Sequence, residues 1–174
     1  HARASAAWKH LVAVFGSGRD VHAHWIPLLE SLKDWPGLVE ALEAESRLAP
    51  EAERAAILAR LGTIRMQRTK QMDEAVDAFR RALAADPAEK TSRLTLEKLL
   101  TVGEQRLGAA EVLEPIYRGE SNGQGLLRVL DIKAQLSPIV GDRLEALDEA
   151  IRVAESSSST AARAIDYAAR GLGE

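Results

Sequence analysis

Residues 58–87 read LARLGTIRMQRTKQMDEAVDAFRRALAADP. Apolar and small residues return every three or four positions, first at Ile57, Leu58, Leu61 and Ile64, with Arg65 on the same inner side, then at Ala75, Val76, Phe79, Ala82 and Leu83. That period is the signature of amphipathic helices. It predicts one helix from about Glu51 to Arg68 and a partner from about Met72 to Ala85, with Asp73 near the start and Asp86-Pro87 as the stop. Proline ends a helix because it lacks an N–H and clashes with the preceding turn.

The framework recurs. Ala75 has counterparts in Leu38, 37 residues earlier, in Ala109, 34 residues later, and in Ala146, 37 beyond that. Leu42, Phe79, Leu113 and Ala150 hold the next turn, and Glu45, Ala82, Ile116 and Val153 the one after; only Glu45 breaks the small or apolar rule. Pro50 and Pro87 close the first two units. A period of this size points to stacked helix pairs rather than one catalytic domain.

Outward from this stretch, the rhythm predicts helices at about 4–15 (Trp8, Leu11, Val12, Phe15), 21–33 (Trp25, Leu28, Leu29, Leu32, with Asp20 as cap) and from Asp34 to Pro50 (Trp35, Leu38, Val39, Leu42). Further helices follow at about 89–102, with a break at Gly103, and around Ala109–Tyr117, where Pro115 should kink or shorten the helix. Gly119–Gly123 reads as a loop; Leu126–Leu136, Leu144–Ala154 and Ala161–Ala169 mark the last three helices. The total is about ten, and none can bury its apolar face alone, whereas antiparallel pairs stacked on one another can.

The composition suits such a stack. Of 174 residues 46% are hydrophobic but only 4% aromatic, so alanine and leucine supply most of the core and favour close helix packing. Replacing Ala75 by leucine should overpack the contact with the facing helix and cost roughly 1–3 kcal/mol. The formal charge is −3, with no run of Lys and Arg, which argues against a nucleic-acid partner. No cysteine is present, so disulfides, thiol nucleophiles and cysteine metal sites are excluded. No stretch has the roughly 18 apolar residues of a membrane span, so membrane insertion is not expected. The chain starts at His1 without an initiator methionine or signal peptide, and is expected to be part of a longer protein. Its compartment stays unassigned, with the cytoplasm favoured, and its oligomeric state stays open.

Leu58, Leu61-Gly62, Ala75, Phe79, Ala82 and Pro87 stand in the order, and near the spacing, of a tetratricopeptide repeat, and the chain resembles that family. One extra residue falls around Lys70-Gln71, and Leu58 and Arg65 replace the tryptophan and tyrosine usual in the family. The resemblance implies an all-α fold of antiparallel pairs stacked as a short right-handed solenoid, in one domain over 1–174. Its best unit is 51–87, with weaker units at 20–50, 88–118 and 122–156 and terminal helices at 4–15 and 160–171. A plain helical bundle is the alternative.

By the same resemblance, the first helix of each pair lines a concave face that binds a peptide or a partner domain. Ala56, Ala59, Thr63, Met66 and Gln67 would contribute from the best unit, and Thr91, Leu94, Lys98 and Thr101 from the next. Ala59 and Thr63 stand where some members carry carboxylate-clamping lysines and asparagines, which disfavours a clamp for peptide C-termini. Leu58, Leu61, Gly62, Ala75, Phe79, Ala82 and Pro87 are packing positions, with Phe79 filling the gap between two helices and Gly62 admitting side chains of the partner helix.

Trp8, Trp25 and Trp35 could anchor a partner, but each lies on an apolar helical face and reads first as core. His22-Ala23-His24 invites a metal, yet positions two apart on a helix do not share a face, and solvated or capping histidines are the simpler reading. Gly16-Ser17-Gly18-Arg19 is too short for a phosphate loop. Asp73, Glu74 and Asp77 followed by Arg80 and Arg81 suit helix-end electrostatics without catalysis. The expectation is a non-enzymatic scaffold without cofactor or metal that binds a protein or peptide; the alternative is a spacer that positions neighbouring domains.

Overall fold

The computed structural model describes residues 18–156 and 160–173. The helix expected at 4–15, with Trp8, and the serines at 157–159 lie outside the described residues. Nine helices are seen among the described residues: α1 (Arg19–Ser31), α2 (Trp35–Leu48), α3 (Glu51–Ile64), α4 (Met72–Ala85), α5 (Lys90–Leu99), α6 (Arg106–Gly119), α7 (Gly123–Leu136), α8 (Val140–Glu155) and α9 (Ala162–Gly171). The chain forms two compact units that divide after Arg93, inside α5.

In unit 1 each of α1 to α4 packs on the next. α1 starts after Gly18, so Asp20 falls within the helix rather than ahead of it. It ends on Lys33, whose φ of 54° is left-handed, while the Asp34 N–H donates to the Leu29 carbonyl at 2.9 Å. This closure satisfies a carbonyl that the helix end would otherwise leave open. Asp34 then caps α2, its carboxylate accepting from the Gly37 N–H at 3.2 Å. α3 does not run straight to Arg68: it widens into a π-helical turn, Arg65–Thr69, closed by left-handed Lys70 (φ 60°) and a bond from the Gln71 N–H to the Arg65 carbonyl. The extra residue expected in the turn at Lys70-Gln71 is thus absorbed one turn earlier, where a wider helix can hold it without breaking the ladder.

Leu29, Leu38, Leu42, Leu58 and Leu61 are fully buried in this unit, with Ala75, Ala82 and Phe79. A Cβ at Gly62 would stand 2.6 Å from Cε1 of Phe79, so α3 lacks a side chain where the ring of α4 lies against it. Trp25 and Trp35 are half-buried against the core, and Arg68 covers the Trp35 ring at 4.8 Å.

In unit 2, α6 to α9 also pack in chain order. Pro115 lies inside α6, which continues four residues beyond it, so the proline does not shorten the helix. Gly103, at φ 107°, breaks the chain between α5 and α6 as expected. Tyr117 in α6 donates its hydroxyl hydrogen to Glu97 of α5 at 3.1 Å.

The two units share one plan. Pro27 and Pro115 lie inside α1 and α6; Lys33 and Ser121 are both left-handed (φ 54° and 55°). Asp34 caps α2 through Gly37 as Asn122 caps α7 through Gly125. A Cβ on Gly37 would press on Leu29, and one on Gly125 on Tyr117. All these pairs are 88 residues apart. From α3 onward the offset becomes 89, because the turn between α7 and α8 is one residue longer than that between α2 and α3. The correspondence is therefore α1–α4 with α6–α9, whereas the 34-residue spacing of Ala109 from Ala75 aligns α6 with α4.

Ion pairs follow the same plan. They join helices that are next but one in the chain: Glu30 to Arg60 (2.7 Å) and Glu43 to Arg81 (2.8 Å) in unit 1, Arg118 to Glu149 (2.8 Å) and Asp131 to Arg170 (2.6 Å) in unit 2. These four bridges occupy corresponding positions, the first with its charges exchanged between the units. Such a stepwise arrangement is helical-repeat-like.

Candidate functional site

An open hollow of about 390 Å³ lies on unit 1 where α1, α2 and α3 meet. Ile26, Pro27, Leu42, Ala56 and Ile57 give it an apolar lining, and Glu45, Glu53 and Arg60 border it. Helical spacing explains the set: Glu53, Ala56, Ile57 and Arg60 succeed one another along one face of α3. Arg60 is held across to α1 by the Glu30 carboxylate at 2.7 Å. Glu45 accepts from His22 Nδ1 at 2.9 Å, a side chain fully enclosed between the helices. His22 is therefore a core residue rather than a solvated or capping one, and it gives the exceptional Glu45 a partner on the neighbouring helix; His24 is exposed.

Of the sequence-derived positions on α3, only Ala56 lines this hollow. Ala59 is 3% exposed and belongs to the packing. Thr63 is half-buried and donates its hydroxyl to the Ala59 carbonyl at 2.9 Å. Met66, half-buried, and Gln67, exposed, lie in the π turn. Thr91 is exposed near the start of α5, where Glu89 accepts from the Thr91 and Ser92 N–H groups at 2.9 and 2.7 Å. Burial pushes the Glu89 carboxyl up, but the bonds from Ser92 and Thr91 outweigh it and hold the group below its ordinary range. In unit 2, Leu94 (56% exposed), Lys98 and Thr101 form one exposed stripe along α5 and the turn after it. Spacing did not single out Ile26, Pro27, Glu53 or Arg60; their signal is only their adjacency to Leu42 and Ile57, which it placed on core faces.

The place that corresponds to the hollow in unit 2 is filled by charge. Lys133 and Arg118 each reach the buried Glu114 carboxylate at 2.7 Å, and Arg118 continues to Glu149 at 2.8 Å. Burial raises the Glu114 pKa, and hydrogen bonds from Lys133 and Arg118 more than reverse it, so the carboxyl titrates below its usual value. The same bonds, to Glu114 first and then Glu149, hold Arg118 above its own. Further along, the Tyr167 hydroxyl accepts from Arg163 at 2.6 Å, and burial, with Asp131 nearby, raises the phenol.

A second apolar hollow, of about 410 Å³, lies between α8 and α9 around Leu144, Ile151 and Leu172. Its counterparts in unit 1, Ala55, Gly62 and Leu83, are buried, and Ala168, which lines the hollow, stands where unit 1 has Phe79. Among the described residues no group of His, Asp and Glu is placed to hold a metal ion, and no helix is long and apolar enough to cross a membrane. Compared with known protein families and with characterised proteins, the chain matches none.

Proposed function

We propose that this chain is a non-catalytic interaction scaffold, a tetratricopeptide-like stack of helix pairs that holds a peptide or a partner domain. The observation that carries this reading is the apolar hollow of unit 1, bordered by Glu45, Glu53 and Arg60. Concave apolar surfaces with a few polar groups at the edge are where ligands bind best, because side chains are desolvated there while the rim fixes their orientation. The displaced ionisable groups support a non-catalytic role: Glu114 and Arg118 are engaged in bridges between helices and Glu89 in a helix cap. Around the hollow, alanine and isoleucine supply shape without reactive groups.

The test is a peptide selected from a displayed random library against the chain, with affinity measured by calorimetry. Ala56→Arg should weaken it about tenfold or more with helicity unchanged. Retention of binding in Ala56→Arg together with loss in Met66→Glu or Leu94→Glu would move the face to the residues the family pattern names. No saturable ligand from such a library would sink the scaffold reading.

A further inference from the structure

Each set of four helices is preceded in the chain by one more stretch with helical apolar spacing. Trp8, Leu11 and Val12 stand 88 residues before Leu96, Leu99 and Leu100 of α5 and its end, so the repeated unit of sequence is five helices long. After α4 the chain goes on to α5, in which Leu96 is buried. Along α4, Val76, Phe79 and Leu83 form a stripe at most 5% exposed. Their counterparts on α9 are Ile165, 74% exposed, Ala168, and Leu172, 91% exposed, and the hollow of about 410 Å³ opens beside the last two. In the order of the repeat, the element that comes next to this stripe is a helix of the kind found at 4–15 and in α5.

Size and charge distinguish those two. Ala168 is smaller than Phe79, whereas Trp8 is larger than Leu96, so the two exchanges run in opposite senses. Asp148, an exposed acid that lines the hollow and makes no ion pair among the described residues, replaces buried Ala59, and Lys9 replaces Glu97. We propose that the α8–α9 face receives residues 4–15 of a second copy of this chain, so that copies join head to tail. Trp8 fills the space left at Ala168, and Lys9 meets Asp148. A symmetric contact of α9 with α9 would instead set the same small and acidic residues against themselves. A head-to-tail contact does not close on itself, so association continues past the dimer.

Sedimentation equilibrium of the chain from micromolar to millimolar concentration should show a mean mass that rises beyond two chains. Leu172→Lys, at a position outside the core, should weaken association about tenfold or more. Val102→Lys, 75% exposed in unit 2, should leave it unchanged. Leu172→Lys mixed with Trp8→Glu should form a one-to-one pair and stop there, because each keeps the face that the other has lost. If Trp8→Glu does not fold, a synthetic peptide of residues 1–17 takes its place: it should lower the mean mass of the unaltered chain by capping α9, and should not bind Leu172→Lys. One chain's mass at every concentration would overturn the proposal and leave the face to a different partner; assembly that stops at two chains would overturn it in favour of the symmetric contact. An equal loss in Val102→Lys, or a peptide that binds the unaltered chain and Leu172→Lys alike, would overturn it as well. Ligand binding at the unit 1 hollow is measured separately through Ala56→Arg and does not depend on this result.

Discussion

His22 Nδ1 and Glu45 Oε2 lie 2.9 Å apart, joining α1 to α2 within the core of unit 1. A buried polar group costs stability unless it is bonded, and here each residue supplies the other's partner. Glu45→Ala is expected to destabilise the chain by roughly 1–3 kcal/mol, and Glu45→Gln, which keeps an acceptor, by less. Urea denaturation followed by circular dichroism measures both. If Glu45→Leu combined with His22→Leu is as unstable as Glu45→Ala, the pair is not what the alanine variant lost.

Gly62 and Phe79 make the second prediction. Alanine in a helix interior is favoured over glycine by about 1 kcal/mol, so Gly62→Ala would stabilise an isolated helix. Against Phe79, which is fully buried, the added methyl overpacks and should cost roughly 1–3 kcal/mol, leaving a net loss. Phe79→Leu in the Gly62→Ala background should cost less than the same change alone, a coupling read from a double-mutant cycle.

The left-handed ends offer a gain. Lys33 and Ser121 carry positive φ where glycine meets no penalty. Lys33→Gly and Ser121→Gly should each add about 1 kcal/mol to unfolding free energy. Arg47→Gly, inside α2, should subtract a similar amount.

Glu114 gives the pH dependence. Its folded pKa lies below the unfolded one of about 4.3, so its contribution is fully present above the unfolded value and disappears as pH falls through the folded one. Stability of the chain relative to Glu114→Gln should therefore be constant near neutrality and shrink below about pH 5. A gap between the two proteins that widens on acidification would contradict the bridge.

Much of the fold is legible in the residues. Ala75, Phe79, Ala82 and Pro87 mark α4 and its end because close helix contact requires small residues at helical spacing, with one large side chain filling the gap. The π turn was not legible, since an inserted residue leaves the pattern shifted without saying which turn widens. The equivalence of α6 with α1 was hidden for a related reason: apolar stripes look alike on every helix of a stack, and the distinguishing marks are a capping Asp or Asn and bridges 30 or more residues apart. His22 misled because polarity alone suggests solvent, and its partner Glu45 is on another helix. The hollow depends on three helices at once, so only Ala56 among its residues was anticipated as a surface position.

The chain-order packing of these helices has a kinetic consequence. Each native contact joins a helix to its neighbour, and the bridges beyond it close loops of only 30 to 39 residues. Little chain entropy is spent before a contact forms, so folding of either unit should be fast and should proceed by adding helices to a formed pair. A nascent chain with such contacts can gather structure as each helix leaves the ribosome, without waiting for a distant segment.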